Sequence, residues 1–265
     1  MTSTVVADDG VVIAFDDRGD GIAVVLVHGW CSNRRDWDDV ADLLVDHRRV
    51  IAIDRRGHGE STTNHRDATI THVRHASDLL AVLDVAGVER AVLVGHAGGA
   101  PGVMELARSR PDRTAGVVLV DTMLREGPVE SAPDAPSALE RLAAMVGAPD
   151  GDEAFAEMYR GFFARPDRPA ARRAVEAAAT VPREIRSAEL SAIGIDTIAI
   201  CRAIDAPVVW MHVGDLDPRV LSTFGDVECI RVLDSGHFVP VDAPGAVADA
   251  IDGLIDGSID GRASS

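Results

Sequence analysis

Five consecutive apolar residues, Ala23–Val27, predict a short strand covered on both faces, as in the middle of a parallel sheet. Val50–Ile53, Val92–Val94 and Ala115–Val120 repeat the pattern, and Pro207–Val213 and Val227–Val232 resume it after a long gap. Between these runs the period changes. Trp37, Val40, Leu43 and Leu44 fall at helical spacing within Asn33–Asp46, and helices are read over Ile70–Ala86, Pro101–Ser109 and Val241–Ile255. Near the N-terminus, Thr4–Ala7 and Val11–Asp16 read as a hairpin turning at Asp8-Asp9-Gly10. Strands alternating with helices predict the α/β class, a doubly wound, mostly parallel sheet with ligands at the C-terminal ends of its strands. The loops after Val27, Ile53, Val94, Val120 and Val213 all leave such ends.

From Thr122 to Asp205 the pattern contains no good parallel strand. It is rich in Ala, Arg and Glu and carries prolines at 128, 133, 136, 149, 166, 169 and 182. That predicts several short helices joined by loops: a helical lid, 122–205, inserted into a core made of 1–121 and 206–265. Phe155, Tyr159, Phe162 and Phe163, at i, i+4, i+7 and i+8, form one apolar helix stripe. Shared between lid packing and a pocket, with Met123 and Phe238 as neighbours, such a stripe suits a small, hydrophobic, uncharged substrate. Gly257–Ser265 is polar and reads as a frayed tail.

Composition narrows the partners. The 265 residues, 46% hydrophobic, suffice for one large core plus a small lid. No apolar run reaches membrane-spanning length and Met1–Gly10 lacks the order of a signal peptide, so a soluble, cytoplasmic protein is expected. A formal charge of −17 argues against nucleic acid or an anionic membrane as partner. All 26 basic residues are arginine, which excludes a lysine Schiff base or a phosphate-loop lysine. Cys31, Cys201 and Cys229 are too far apart in sequence to suggest a disulfide framework or a zinc site. His65, His72 and His75 lack a metal-ligand framework and read as a solvated helix face. With no Gly-x-Gly-x-x-Gly order either, no metal or cofactor is expected. A homo-oligomer stays open.

The candidate chemistry centres on Val92-Leu93-Val94-Gly95-His96-Ala97-Gly98-Gly99-Ala100, an apolar strand running into a small-residue turn and then a helix. This is the layout of a nucleophile elbow, Gly-x-nucleophile-x-Gly, with Gly95 and Gly99 where backbone packs on backbone. Ala97, however, stands where such a turn carries Ser, Cys or Asp, and a methyl group cannot attack a carbonyl.

Four landmarks in order, His28-Gly29-Trp30, Arg56-Gly57-His58-Gly59-Glu60-Ser61, Gly95-His96-Ala97-Gly98-Gly99 and Gly236-His237-Phe238, resemble the α/β-hydrolase fold family over nearly the whole chain. The resemblance implies His237 as general base and the backbone N–H groups of Gly98 and Trp30 as the oxyanion hole. His28 and His96 flank the pocket and are commonly structural in this family. The acid that orients His237 stays open between two residues. Asp217, after the strand that follows the lid, is favoured, yet only 20 positions separate it from His237. Asp121, before the lid, is the alternative; Asp215 reads as a turn residue.

Three readings of Ala97 follow. In the first, the chain is a serine carboxylesterase or lactonase type whose nucleophile position has been replaced. In the second, it resembles the cofactor-less dioxygenases of this fold that cleave 3-hydroxy-4-oxoquinolines. There a His–Asp pair removes a hydroxyl proton and the anion reacts directly with O₂. Trp30-Cys31 resembles their oxyanion-side turn, and Asp121 would be the natural acid. In the third, the scaffold binds a ligand without turning it over.

Overall fold

Residues 2–63, 70–127, 137–192, 195–215 and 227–260 are described by the computed structural model. Strand β3 (Ala23–Val27) is buried at every position because its side chains alternate between two helical layers. Val25 and Val27 pack with one apolar cluster, Val24 and Leu26 with another. β4 (Arg49–Ile53), β5 (Ala91–His96), β6 (Thr114–Val120) and β7 (Val208–His212) share this two-sided burial. With β1 (Thr2–Val6), β2 (Val12–Arg18) and β8 (Glu228–Arg231) they form one eight-stranded sheet, ordered β1-β2-β4-β3-β5-β6-β7-β8. The β1–β2 hairpin joins antiparallel to β4, and the remaining pairs are parallel. The sheet is therefore doubly wound and mostly parallel, as the apolar runs predict.

Helices α1 (Asp38–Leu44), α2 (His72–Val85) and α3 (Ala100–Ser109) occupy the crossovers. α2 and α3 cover one face. The other is covered by α1 and the closing helix α9 (Pro244–Leu254). Two predicted helices are interrupted. Asn33–Asp46 divides into a 3₁₀ turn, Arg34–Trp37, capped by the Asn33 side chain, and α1. Val241–Ile255 is broken at Ala243, which leaves helical geometry (φ −138°, ψ 56°) because Pro244 follows it and starts α9. The single helical turn Val239–Asp242 precedes the break.

Between β6 and β7 lie α4 (Ala138–Gly147), α5 (Asp152–Arg160), α6 (Pro169–Thr180), α7 (Arg183–Ala192) and α8 (Thr197–Arg202). Side chains from α4 to α7 build a third apolar cluster, completed by Cys31, Phe238 and Val241 of the sheet's loops. α5 ends at Arg160, so Phe162 and Phe163 stand in the turn beyond Gly161 and the four aromatics are not one helix stripe. At the C-terminus, helical turns continue over Ile255–Asp260, past the point where fraying is expected. Among the described residues no helix is long and apolar enough to cross a membrane.

β5 enters α3 through a turn that has no room for extra carbon. A Cβ on Gly95 would lie 2.6 Å from Cα and 3.0 Å from N of Ala100, both fixed backbone. Gly95→Ala is expected to lower unfolding free energy by about 2 kcal/mol, read from the urea midpoint. An unchanged midpoint would refute the close packing.

Candidate active site

The elbow is a 3₁₀ turn, Ala97–Gly99, between β5 and α3. Ala97 sits at φ +45°, in the left-handed region that costs a side-chain-bearing residue about 1–2 kcal/mol. Its neighbours hold it there. The Thr122 hydroxyl donates to the Ala97 carbonyl at 3.0 Å, and a Cβ on Gly99 would fall on the carbonyl oxygen of His28. Position 29 must likewise be glycine, since a Cβ would lie 2.9 Å from Nδ1 of His96 and 3.2 Å from Cβ of Ala97. Across the turn, a Cβ on Gly98 would stand 3.3 Å from the Trp30 nitrogen. The backbones of Gly98 and Trp30 thus face each other beside Ala97.

His237 lies in the loop after β8, and its Nδ1 is 2.6 Å from Oδ2 of Asp121. Asp121 directly follows β6 at φ +41°, and its second oxygen accepts the Val213 N–H at 3.0 Å. With Nδ1–H donated to the carboxylate, Nε2 is the basic nitrogen of the ring. The imidazole is 34% exposed, so a small molecule can reach it. The His96 ring donates from Nε2 to the His237 carbonyl at 2.8 Å. One Asp242 oxygen accepts both the Gly236 N–H (3.0 Å) and the Ala164 N–H (2.8 Å). A Cβ at Gly236 would run into the backbone of Phe162–Ala164, so the glycine serves close approach rather than flexible aiming of the ring. Among the described residues, Asp121, one of the two carboxylates that the sequence leaves open, is paired with His237. Asp217 lies outside the described residues. Asp215 forms an exposed ion pair with Arg231 at 3.0 Å.

A cavity of about 230 Å³ opens at these groups. Ala97, Gly98, His96 and His237 form its polar end, and Trp30, Met123, Tyr159, Phe162 and Phe238 line it as expected. Phe155, Phe163 and His28 do not line it. Each is buried behind the wall, the two phenylalanines in the third cluster and His28 against the Arg55 backbone. The sequence reading missed Leu139 and Leu142 of α4, Leu190 of α7, and the polar Thr122, Arg125 and Thr197. The i, i+3 spacing of the two α4 leucines was the available signal. Arg125 also adds a cation to a pocket read as apolar and suited to an uncharged substrate.

His28, His58, His75 and His96 are buried around the site. Burial holds His28 and His75 well below the usual imidazole range. Burial, reinforced by neighbouring His237, lowers His96 to about 3. His75 therefore does not belong to a solvated helix face; it packs inward beside the Arg55 guanidinium at 3.3 Å. His72 is half-buried on the same helix, and His65 lies outside the described residues.

A strand-to-helix elbow beside an imidazole–carboxylate pair at the C-terminal edge of a parallel sheet is the layout of the α/β-hydrolase class of site. The chain belongs to the alpha/beta hydrolase family, whose model matches residues 24–250. It is 39% identical over 127 residues to a non-heme chloroperoxidase of Streptomyces lividans, covering 45% of this chain and 44% of that one. To a bifunctional esterase/perhydrolase of Acinetobacter calcoaceticus it is 37% identical over 123 residues, again 45% and 44% of the two chains. These matches thus span less than half the length of the curated relatives. Among solved structures, an esterase of Thermogutta terrifontis superposes with a TM-score of 0.82 at 25% identity, over 97% of this chain and 99% of that one.

The buried neutral histidines set a pH dependence. Their folded pKa values lie below the unfolded 6.5, so their stabilising contribution is complete above pH 6.5 and is lost as pH falls towards the folded values. Asp36, raised by burial to about 7, and Asp38 and Asp78, also raised by burial, work in the opposite direction, while His72, lowered by burial, adds to the three. The unfolding free energy is expected to fall between pH 7 and pH 5, by about 1.4 kcal/mol per pH unit for each net proton. Urea titrations at the two pH values check this, and a flat or rising stability would contradict it.

Proposed function

We propose that this chain is a serine-hydrolase scaffold for a small, largely apolar ester or lactone, with Ala97 in the place of the nucleophile. The observation that carries the reading is the elbow itself: Ala97 is held at φ +45° beside Gly98, Trp30 and the His237–Asp121 pair although it has nothing to present. A substrate carbonyl seated over Ala97 would place its oxygen between the Gly98 and Trp30 amides, which stabilise the charge of a tetrahedral intermediate. His237 would take the proton of the attacking hydroxyl at Nε2 and return it to the leaving group. Asp121 would hold the tautomer and stabilise the imidazolium. The helices inserted over 122–205 act as the lid, and their leucines and aromatics favour apolar acyl or alcohol groups. Esterase names among the relatives support the same substrate class.

With a methyl at position 97, binding and oxyanion stabilisation remain but covalent attack does not. Restoring serine tests the reading. Ala97→Ser is expected to hydrolyse p-nitrophenyl butyrate with burst kinetics, at a rate at least about 10³-fold above the parent chain. Adding Asp121→Asn should remove about 10³–10⁴-fold of that kcat. A folded Ala97→Ser protein without esterase or lactonase activity would sink the proposal.

The pairing of His237 with Asp121 favours one second reading. A His–Asp base whose acid follows the strand before the lid fits the cofactor-less dioxygenase pattern, in which Nε2 takes a substrate hydroxyl proton and the anion reacts with O₂. On this reading the unaltered chain consumes O₂ and releases carbon monoxide with a 3-hydroxy-4-oxoquinoline. No gas exchange with that substrate retires it.

A further inference from the structure

Behind the oxyanion turn lies a buried charge pair that does not line the pocket. Arg55, in the loop after β4, and Glu189, on α7, are both buried and ion-paired. Burial alone would raise the Glu189 carboxyl, but Arg55, with His58, outweighs it and holds the group below its ordinary range. The same guanidinium donates from Nη1 to the Gly29 carbonyl at 3.0 Å, and the Arg55 backbone N–H donates to Nε2 of His28 at 2.9 Å. Because that nitrogen accepts, the proton of neutral His28 sits on Nδ1, 2.8 Å from the same Gly29 oxygen. Two donors therefore converge on one carbonyl, one of them on a cation.

That carbonyl shares a peptide unit with the Trp30 N–H. The unit is planar and trans, so fixing the C=O fixes the N–H pointing the opposite way. A charge-assisted hydrogen bond on the oxygen also polarises the amide and strengthens its N–H as a donor. α7 and α5 hold the same residue by other atoms. Trp30 Nε1 donates to the Arg186 carbonyl at 2.9 Å, and the Tyr159 hydroxyl lies 3.1 Å from the Trp30 carbonyl.

We propose that Arg55 and Glu189 are positioning residues of the oxyanion hole, an ion pair shared between the core and α7 that aims and polarises the Gly29–Trp30 peptide. The proposal rests on the reading of the Trp30 N–H as an oxyanion donor. Stability alone does not call for a charged pair here, since apolar residues of similar volume often pack as well in such a place. What the charges supply is a cation on the Gly29 carbonyl with its own charge offset from the inserted helices. The hole is complete when α7 is docked.

Paired neutral variants test this without leaving either member of the ion pair alone: Arg55→Met with Glu189→Met, and Arg55→Gln with Glu189→Gln should the first fail to fold. In the unaltered Ala97 background, the ¹⁵N–¹H signal of the Trp30 amide is followed while butyrate is added as a probe carboxylate. In the Ala97→Ser background, kcat and KM are measured with p-nitrophenyl butyrate. The paired variant is expected to move the Trp30 signal upfield before butyrate is added and to weaken butyrate binding about tenfold. It should lower kcat on the order of tenfold while KM changes less than twofold and the thermal midpoint holds. A folded variant with an unchanged Trp30 signal, butyrate affinity and kcat would overturn the proposal. If the Trp30 amide ignores butyrate in the parent protein, the oxyanion reading itself fails and this proposal falls with it. If butyrate shifts the amide but Ala97→Ser is inactive, only the esterase reading fails, and the amide signal still decides the role of the pair.

Discussion

The carbonyl oxygens of Val27 and His28, at the end of β3, lie directly against the α-carbon of Gly99 in the turn that ends β5. The two strands pair in parallel with Val27 opposite Gly95, so their C-terminal loops leave the sheet side by side at the same height. Only backbone fits between those loops. Gly29 and Gly99 remove the side chains that would separate them, Gly95 lets β5 turn tightly into α3, and Gly98 comes close to the Trp30 nitrogen. Position 97 inherits its left-handed geometry from the same contact.

Around that contact the protein separates two kinds of polar group. The imidazoles that scaffold the site are kept neutral by burial and spend their nitrogens on backbone groups, His28 on Gly29 and His96 on the His237 carbonyl. Several buried charges stand in matched sets: Arg55 with Glu189, Arg56 with Asp78 and Asp9, and Arg34 with Asp54. Arginine suits this use because its planar fork can serve a carboxylate and a carbonyl at once. Arg55 does so with Glu189 and Gly29. The acidic excess is left to the surface, where Asp252 and Asp256 answer Arg48.

The sheet was legible because strands buried on both faces leave continuous apolar runs, and three of the four loop motifs supply residues to the cavity. Other features depended on contacts that have no local signature. His75 shares a helix with charged, partly exposed neighbours, and only the packing of α2 against α3, where a Cβ on Gly102 would lie 2.6 Å from that of His75, turns it inward. Phe155 and Phe163 have the composition of pocket residues, but the end of α5 at Arg160 sends Phe163 onto Phe238 with ring centroids 4.3 Å apart. The contact between Asp121 and His237 could not be found by counting residues. β6 and β7 are adjacent in the sheet, which brings the end of β6 within reach of a histidine 116 positions away. Asp242 left no sequence signal at all, because its two partners, Gly236 and Ala164, are far apart in the chain.

The left-handed turn at position 97 acts as a socket. Its shape comes from the loops on either side, so whatever side chain the codon specifies is raised to the same point above the sheet, between the same amides and beneath the same helices. A hydroxyl there, a thiol, a carboxylate or a bare methyl would meet one unchanged environment. On the proposed hydrolase reading, loss and recovery of covalent chemistry would therefore cost little in folding, and a lineage could carry the empty socket as a binding site while keeping hydrolysis a single substitution away.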